Sequence, residues 1–291
     1  MKKLLLGIAA VCLAGFTFAQ DAPLWMRHSV ISPDGTTIAF TYKGDIYTVP
    51  VAGGRAMQIT TNPAYDTAPV WSPDSKRIAF ASDRMGSLDV YIVAKDGGEP
   101  RRLTTHSGSE TPLAFTDAGH VLFSAGIMPS AEAVVFPSNG QFNQVYRVSV
   151  EGGRPTMISS MPMECISINK EGAMLYQDKK GYEDYWRKHH VSPIARDIWM
   201  YSPGKEPQYR QLTTFGGEDR EPVWAPDGKT FYYLSEENGS FNIYRRTPGD
   251  AKAVQLTHYT KNPVRYLSAA TDGRLCYGFD GEIYTLLPGR S

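Results

Sequence analysis

Cysteine is scarce: three residues in 291, too few for a disulfide-stapled scaffold. Net charge is missing too, since 30 basic and 30 acidic residues cancel. A basic stripe for nucleic acid or an anionic membrane is therefore not the main binding device. No long stretch carries helical periodicity, and no run resembles a linker between Trp25 and Ser291. The catalytic signatures are absent as well: no Gly-x-Ser-x-Gly elbow, no His-Glu-x-x-His, no P-loop and no dinucleotide-binding fingerprint. Pro-Asp-Gly turns recur, but without the alternating acidic ligands and distal Glu of a calcium loop. No metal, no cofactor and no catalytic residue is expected within this chain.

What is present is a repeat. Its reference unit runs from Pro69 to Thr104. The strand Pro69–Ser72 enters the turn Ser72-Pro73-Asp74-Ser75, where proline sets φ and Asp74 can cap its own backbone. In Arg77–Ser82, Ile78 and Phe80 share one face, Ala79 and Ala81 the other. Leu88–Ala94 is apolar on both faces, as a doubly covered strand must be. Gly97-Gly98 then turns the chain into a charged outer strand, Arg101–Thr104. Such a unit cannot bury two apolar faces alone.

The third-strand signature recurs as Asp45-Ile46-Tyr47, Asp89-Val90-Tyr91, Gln144-Val145-Tyr146, Asp197-Ile198-Trp199, Asn242-Ile243-Tyr244 and Glu282-Ile283-Tyr284, at steps of 44, 55, 53, 45 and 40 residues. The turn returns as Ser32-Pro33-Asp34-Gly35 and Ala225-Pro226-Asp227-Gly228. The outer-strand ending occurs five times, at Ile59-Thr60, Leu103-Thr104, Ile158-Ser159, Leu212-Thr213 and Leu256-Thr257. A four-stranded repeat of about 40–45 residues predicts a β-propeller blade. The fold class is all-β: a six-bladed propeller over residues 20–291 whose sixth blade is incomplete. An unfinished sheet leaves an open edge, so the chain is expected to be the N-terminal part of a longer polypeptide.

Residues 1–19 are a separate object: Lys2 and Lys3, an apolar Leu4–Gly15 and the small-x-small site Thr17-Phe18-Ala19. The apolar run is shorter than a membrane span, and Val11 before Cys12 is a poor lipoprotein context. A cleaved export signal without membrane anchor follows, with a periplasmic or secreted mature protein starting at Gln20. Cys165 and Cys276 then remain, in the fourth and sixth repeats, and are expected as two unpaired buried thiols.

Two repeats carry insertions between second and third strands, Gly126–Asn143 and Asp178–Arg196. Adjacent blades place such loops side by side at one mouth of the ring. The second gathers Tyr182, Tyr185, Trp186, Arg187, Lys188, His189, His190 and Arg196, the candidate residues for binding or gating a peptide substrate. Its cations suit a carboxylate. A solvated loop packing its aromatics on a neighbouring blade is the competing reading, and both stay open here.

The Ser-Pro-Asp-Gly turns and Asp-Ile-Tyr strands resemble WD40-like propeller repeats of the Pro-Asp variety. The string Tyr42-Lys43-Gly44-Asp45-Ile46-Tyr47 and the run Tyr182-Glu183-Asp184-Tyr185-Trp186-Arg187-Lys188-His189-His190, followed by Arg196-Asp197-Ile198-Trp199, are similar to the N-terminal six-bladed propeller of tricorn proteases. The resemblance covers Trp25 to the end. It implies a serine peptidase whose PDZ and catalytic domains lie downstream, a propeller that gates or binds peptides and unfolded polypeptide, and a homo-oligomeric whole. No catalytic residue of that family maps onto this chain. The repeats alone are shared with the Tol-system periplasmic propeller, which implies the alternative of a non-enzymatic interaction module. They are also shared with prolyl-oligopeptidase-like peptidases.

Overall fold

The computed structural model describes residues 25–127, 143–181 and 191–289. They form six antiparallel sheets, each read from the inside outwards in chain order. Blade one is β1 (Arg27–Ile31), β2 (Thr37–Tyr42), β3 (Asp45–Pro50) and β4 (Met57–Gln58). Blade two is β5 (Asp66–Trp71), β6 (Arg77–Ser82), β7 (Asp89–Ala94) and β8 (Arg101–Arg102). Blade three is β9 (Glu110–Asp117), β10 (His120–Ala125), β11 (Gln144–Ser149) and β12 (Thr156–Ser159). Blade four is β13 (Met163–Ile168), β14 (Met174–Asp178), β15 (Ile198–Ser202) and β16 (Gln208–Gln211). Blade five is β17 (Asp219–Trp224), β18 (Phe231–Ser235), β19 (Asn242–Arg246) and β20 (Val254–Gln255). Blade six has three strands, β21 (Arg265–Ala269), β22 (Leu275–Phe279) and β23 (Glu282–Leu286). Among the described residues no fourth strand covers β23.

The two-faced strands explain the ring. Ile78, Phe80, Tyr91 and Val93 pack toward blade one, against Ala39, Ile46 and Ile59. Ala79, Val90 and Ile92 face the other way, onto Phe115, Val121 and Phe123 of blade three. Each sheet thus fills the gap between two neighbours, and burial drives the stacking. The first strands of successive blades touch all the way round, β1 meeting both β5 and β21, so they surround a central axis. The circle closes without a shared strand. Ile31 and Ile38 pack on Ala270 and Cys276. Across the same seam Met26 donates its N–H to the Gly281 carbonyl at 3.3 Å and Ile31 donates to Ser268 Oγ at 3.1 Å.

The turn motif works through its serine. Ser32 Oγ donates to Asp34 at 2.6 Å while accepting the Thr37 N–H at 3.0 Å, and Ser72 repeats both bonds at 2.5 and 2.9 Å. The Ile/Leu-Thr pairs lie just past very short outer strands. There the hydroxyls of Thr60, Thr104, Thr213 and Thr257 accept the N–H of Ile46, Val90, Ile198 and Ile243 at 2.9–3.0 Å, replacing the next ladder carbonyl.

The inner strand of blade two begins earlier than its sequence suggests: β5 starts at Asp66, not Pro69. A β-bulge separates Thr67 from Val70, so Pro69 sits where the ladder is already interrupted and its missing N–H removes no bond. Bulges recur at the same register between Arg27 and Val30, Glu164 and Ser167, Arg220 and Val223, and Arg265 and Ser268.

Candidate functional site

Both insertions leave the ring at the end where second strands pass to third strands, between β10 and β11 and between β14 and β15. Of the predicted site residues, Tyr182, Tyr185, Trp186, Arg187, Lys188, His189 and His190 lie outside the described residues. Arg196 is described, and it is not a solvent-facing cation. It is 6% exposed, with Nε 3.2 Å from Glu164 and Nη1 3.4 Å from Glu218. Burial opposes ionisation of Glu164, but Arg196, Gln177 and Lys179 together hold its carboxyl below the ordinary carboxylate value. Glu218 is shared with Arg220 at 2.6 Å, whose guanidinium lies 5.1 Å above the Phe241 ring.

The same cluster fixes both stems of the second insertion. Lys180 Nζ donates to the Ala195 carbonyl at 2.7 Å and pairs with Asp197. Asp197 donates its N–H to Asp178 at 2.8 Å, and Ser192 donates to the Gly216 carbonyl at 3.1 Å. Arg196 ties the second stem to Glu164 and Glu218.

The bulges build a second feature, a collar around the axis. Five of them put a non-glycine residue in the left-handed region: His28, Ala68, Cys165, Glu221 and Tyr266, with φ between 50° and 58°. Blade three has Pro112 at this position, whose ring forbids positive φ. Two neighbouring positions of the collar are thus small and apolar, Ala68 and Pro112, and the other four carry Cys165, Glu221, Tyr266 and His28. His28 Nδ1 lies 3.1 Å from Thr67 Oγ1, and its ring sits 5.0 Å from that of Tyr266. Burial, aided by Arg27, lowers its pKa to about 4, so the imidazole is neutral near pH 7. Glu221 joins three blades: its N–H donates to Gln177 at 3.0 Å and its Oε2 accepts the Leu267 N–H at 2.7 Å.

Here one expectation needs correction. Both cysteines are unpaired, but only Cys276 is buried. Cys165, at the left-handed position of the β13 bulge, is exposed. It remains surrounded by protein there. That desolvation, with the carboxylates of Glu221 and Glu164, raises its pKa well above the ordinary thiol value. A thiol so protonated is a poor nucleophile.

A cavity of about 310 Å³ opens at the seam of blades six and one, walled by Trp25, Tyr266 and Phe279 and bordered by Arg27, Arg265 and Asp280. Gly278 makes room for it: a Cβ there would stand 3.0 Å from Tyr266 Cδ2. The cavity adjoins the β22–β23 turn, so it lies at the same end of the ring as the insertions. Sequence reasoning missed both the collar and this cavity. Pro112 and Gly278, each breaking the pattern of its repeat position, were the available signals.

This geometry has relatives. The family model described as the tricorn protease N-terminal beta propeller domain matches residues 23–290. A tricorn protease homolog 1 from Streptomyces coelicolor is 26% identical over 268 residues, covering 91% of this chain and 24% of the relative. A crystal structure of the tricorn protease superposes with a TM-score of 0.75 at 19% identity, over 92% of this chain and 25% of that one. TolB from Acinetobacter baumannii reaches a TM-score of 0.61 at 15% identity, over 89% of this chain and 65% of that one. Against the tricorn relatives the chain spans about a quarter of their length. By its match from residue 23 to residue 290, the chain belongs to the family of tricorn protease N-terminal β-propeller domains.

Proposed function

We propose that this chain is the propeller of an exported tricorn-like serine protease, and that it binds or gates peptides for a catalytic core carried elsewhere on a longer polypeptide. The observation that carries the reading is the family match over residues 23–290 on a ring whose two long insertions open at one end. A propeller of this kind supplies a rigid frame, and its loops supply recognition. The Arg196 cluster supports the reading by fixing the stems of the insertion that bears Arg187 and Lys188. Export rests on residues 1–19 and places the mature protein in the periplasm or outside the cell. The full-length protein would assemble as a homo-oligomer, as its family resemblance implies.

The test measures affinity of a fluorescent unfolded polypeptide for the purified chain and for the double variant Arg187→Ala/Lys188→Ala. A loss of about tenfold is expected, two ion-pair contacts of about 0.7 kcal/mol each being removed. The purified chain itself should cleave no peptide. Unchanged affinity in the double variant would reduce the loop to packing. Export is read separately, from a periplasmic form whose mass corresponds to residues 20–291; an uncleaved cytoplasmic product would end that part of the reading.

A further inference from the structure

We infer that the cavity at the seam of blades six and one is a side-chain subsite, taking a large aromatic or aliphatic side chain of an extended peptide. The inference rests on the peptide-binding reading above and deepens it.

Three independent observations converge there. The first is size and lining. About 310 Å³ lies at the small end of ligand cavities, roughly 300–1,000 Å³, too little for a folded partner's surface feature and ample for one bulky side chain. Its walls are aromatic, and the charges at its rim, Arg27 and Arg265 against Asp280 and Glu282, balance in sign. A balanced rim does not select an anion; it suits a neutral peptide backbone.

The second is Trp25. It is 71% exposed at the rim, with the Arg27 guanidinium 5.7 Å from its ring. A large aromatic left in water gains from any ligand that covers it.

The third is the room that Gly278 leaves in β22. At the equivalent registers β2 has Thr41, β6 has Ala81 and β18 has Leu234, whereas Gly278 leaves the Tyr266 ring space to form a wall.

The experiment titrates the purified chain by calorimetry with two capped peptides, acetyl-Gly-Phe-Gly-amide and acetyl-Gly-Ala-Gly-amide. The phenylalanine peptide should bind about tenfold tighter, the return on burying one aromatic side chain part-way. Trp25→Ala, at an exposed position, should erase that preference without weakening the alanine peptide. Gly278→Val, which fills the cavity from inside, should do the same. Equal affinity for the two peptides, with both bound, would overturn the subsite and leave the peptide-binding reading standing. A preference that survives both variants would place the subsite elsewhere and overturn the assignment. Binding of neither peptide would overturn the subsite and count against the reading beneath it.

Discussion

Arg196 lies where an acidic side chain of β13 meets one from the loop before β17, and its value to the fold is set by that burial. Removing it leaves Glu164 and Glu218 facing each other without their shared cation. Arg196→Ala should cost about 1–3 kcal/mol in urea unfolding, since Lys179 and Arg220 still face the two carboxylates. A cost below about 1 kcal/mol would mean that water reaches the pair. Glu110 presents the opposite case. It and Asp89 are both fully buried at the seam of blades two and three, and Arg102 pairs with Asp89 at 2.9 Å. Burial, with Asp89 nearby, raises the Glu110 pKa to about 7. A carboxyl with a raised folded pKa contributes stability below its unfolded value of about 4.5 and loses it as pH rises through about 7. Glu110→Gln should thus gain on the wild type by about 1–2 kcal/mol between pH 4.5 and pH 8. The comparison isolates Glu110, because His28 titrates with opposite sign in both proteins. A difference between the two proteins that does not change with pH would show that folding leaves the Glu110 pKa at its unfolded value.

At the scale of the element, the inner strand is the unusual one. Second and third strands are regular ladders, while five of the six first strands break at a left-handed residue. That break sets one left-handed residue into each of those five strands. Its energetic signature is testable by glycine. Ala68→Gly, at φ 51°, should be neutral or stabilising by about 0.5–1 kcal/mol, since glycine adopts this conformation freely. Ala79→Gly, in the fully buried regular strand β6, should cost about 1 kcal/mol or more. Equal costs at both positions would contradict the bulge.

The whole molecule is a ring held by seams, and one of its sheets differs from the rest. In blade five the Ile243 N–H is capped by Thr257, whereas among the described residues nothing equivalent lies outside β23 at Ile283. Hydrogen exchange should therefore be at least about a hundredfold faster at the Ile283 amide than at Ile243. Equal protection at the two amides would show that blade six is covered in solution. The seam between blades six and one also carries the cavity.

Period and alternation were written in the chain. The recurrence of Ile/Val-Tyr/Trp, the serine turns and the aliphatic-threonine endings determined six sheets, their strand order and the positions of both insertions, because these depend on neighbours a few residues apart. They could not show where the first strands break. Left-handed backbone at His28, Cys165 or Tyr266 is imposed by packing around the axis, against local preference. For the same reason Arg196 read as a binding cation until folding brought Glu164 and Glu218 to it from elsewhere in the chain. The cavity joins Trp25 to Phe279 across the closing seam, and only a closed ring makes those residues neighbours.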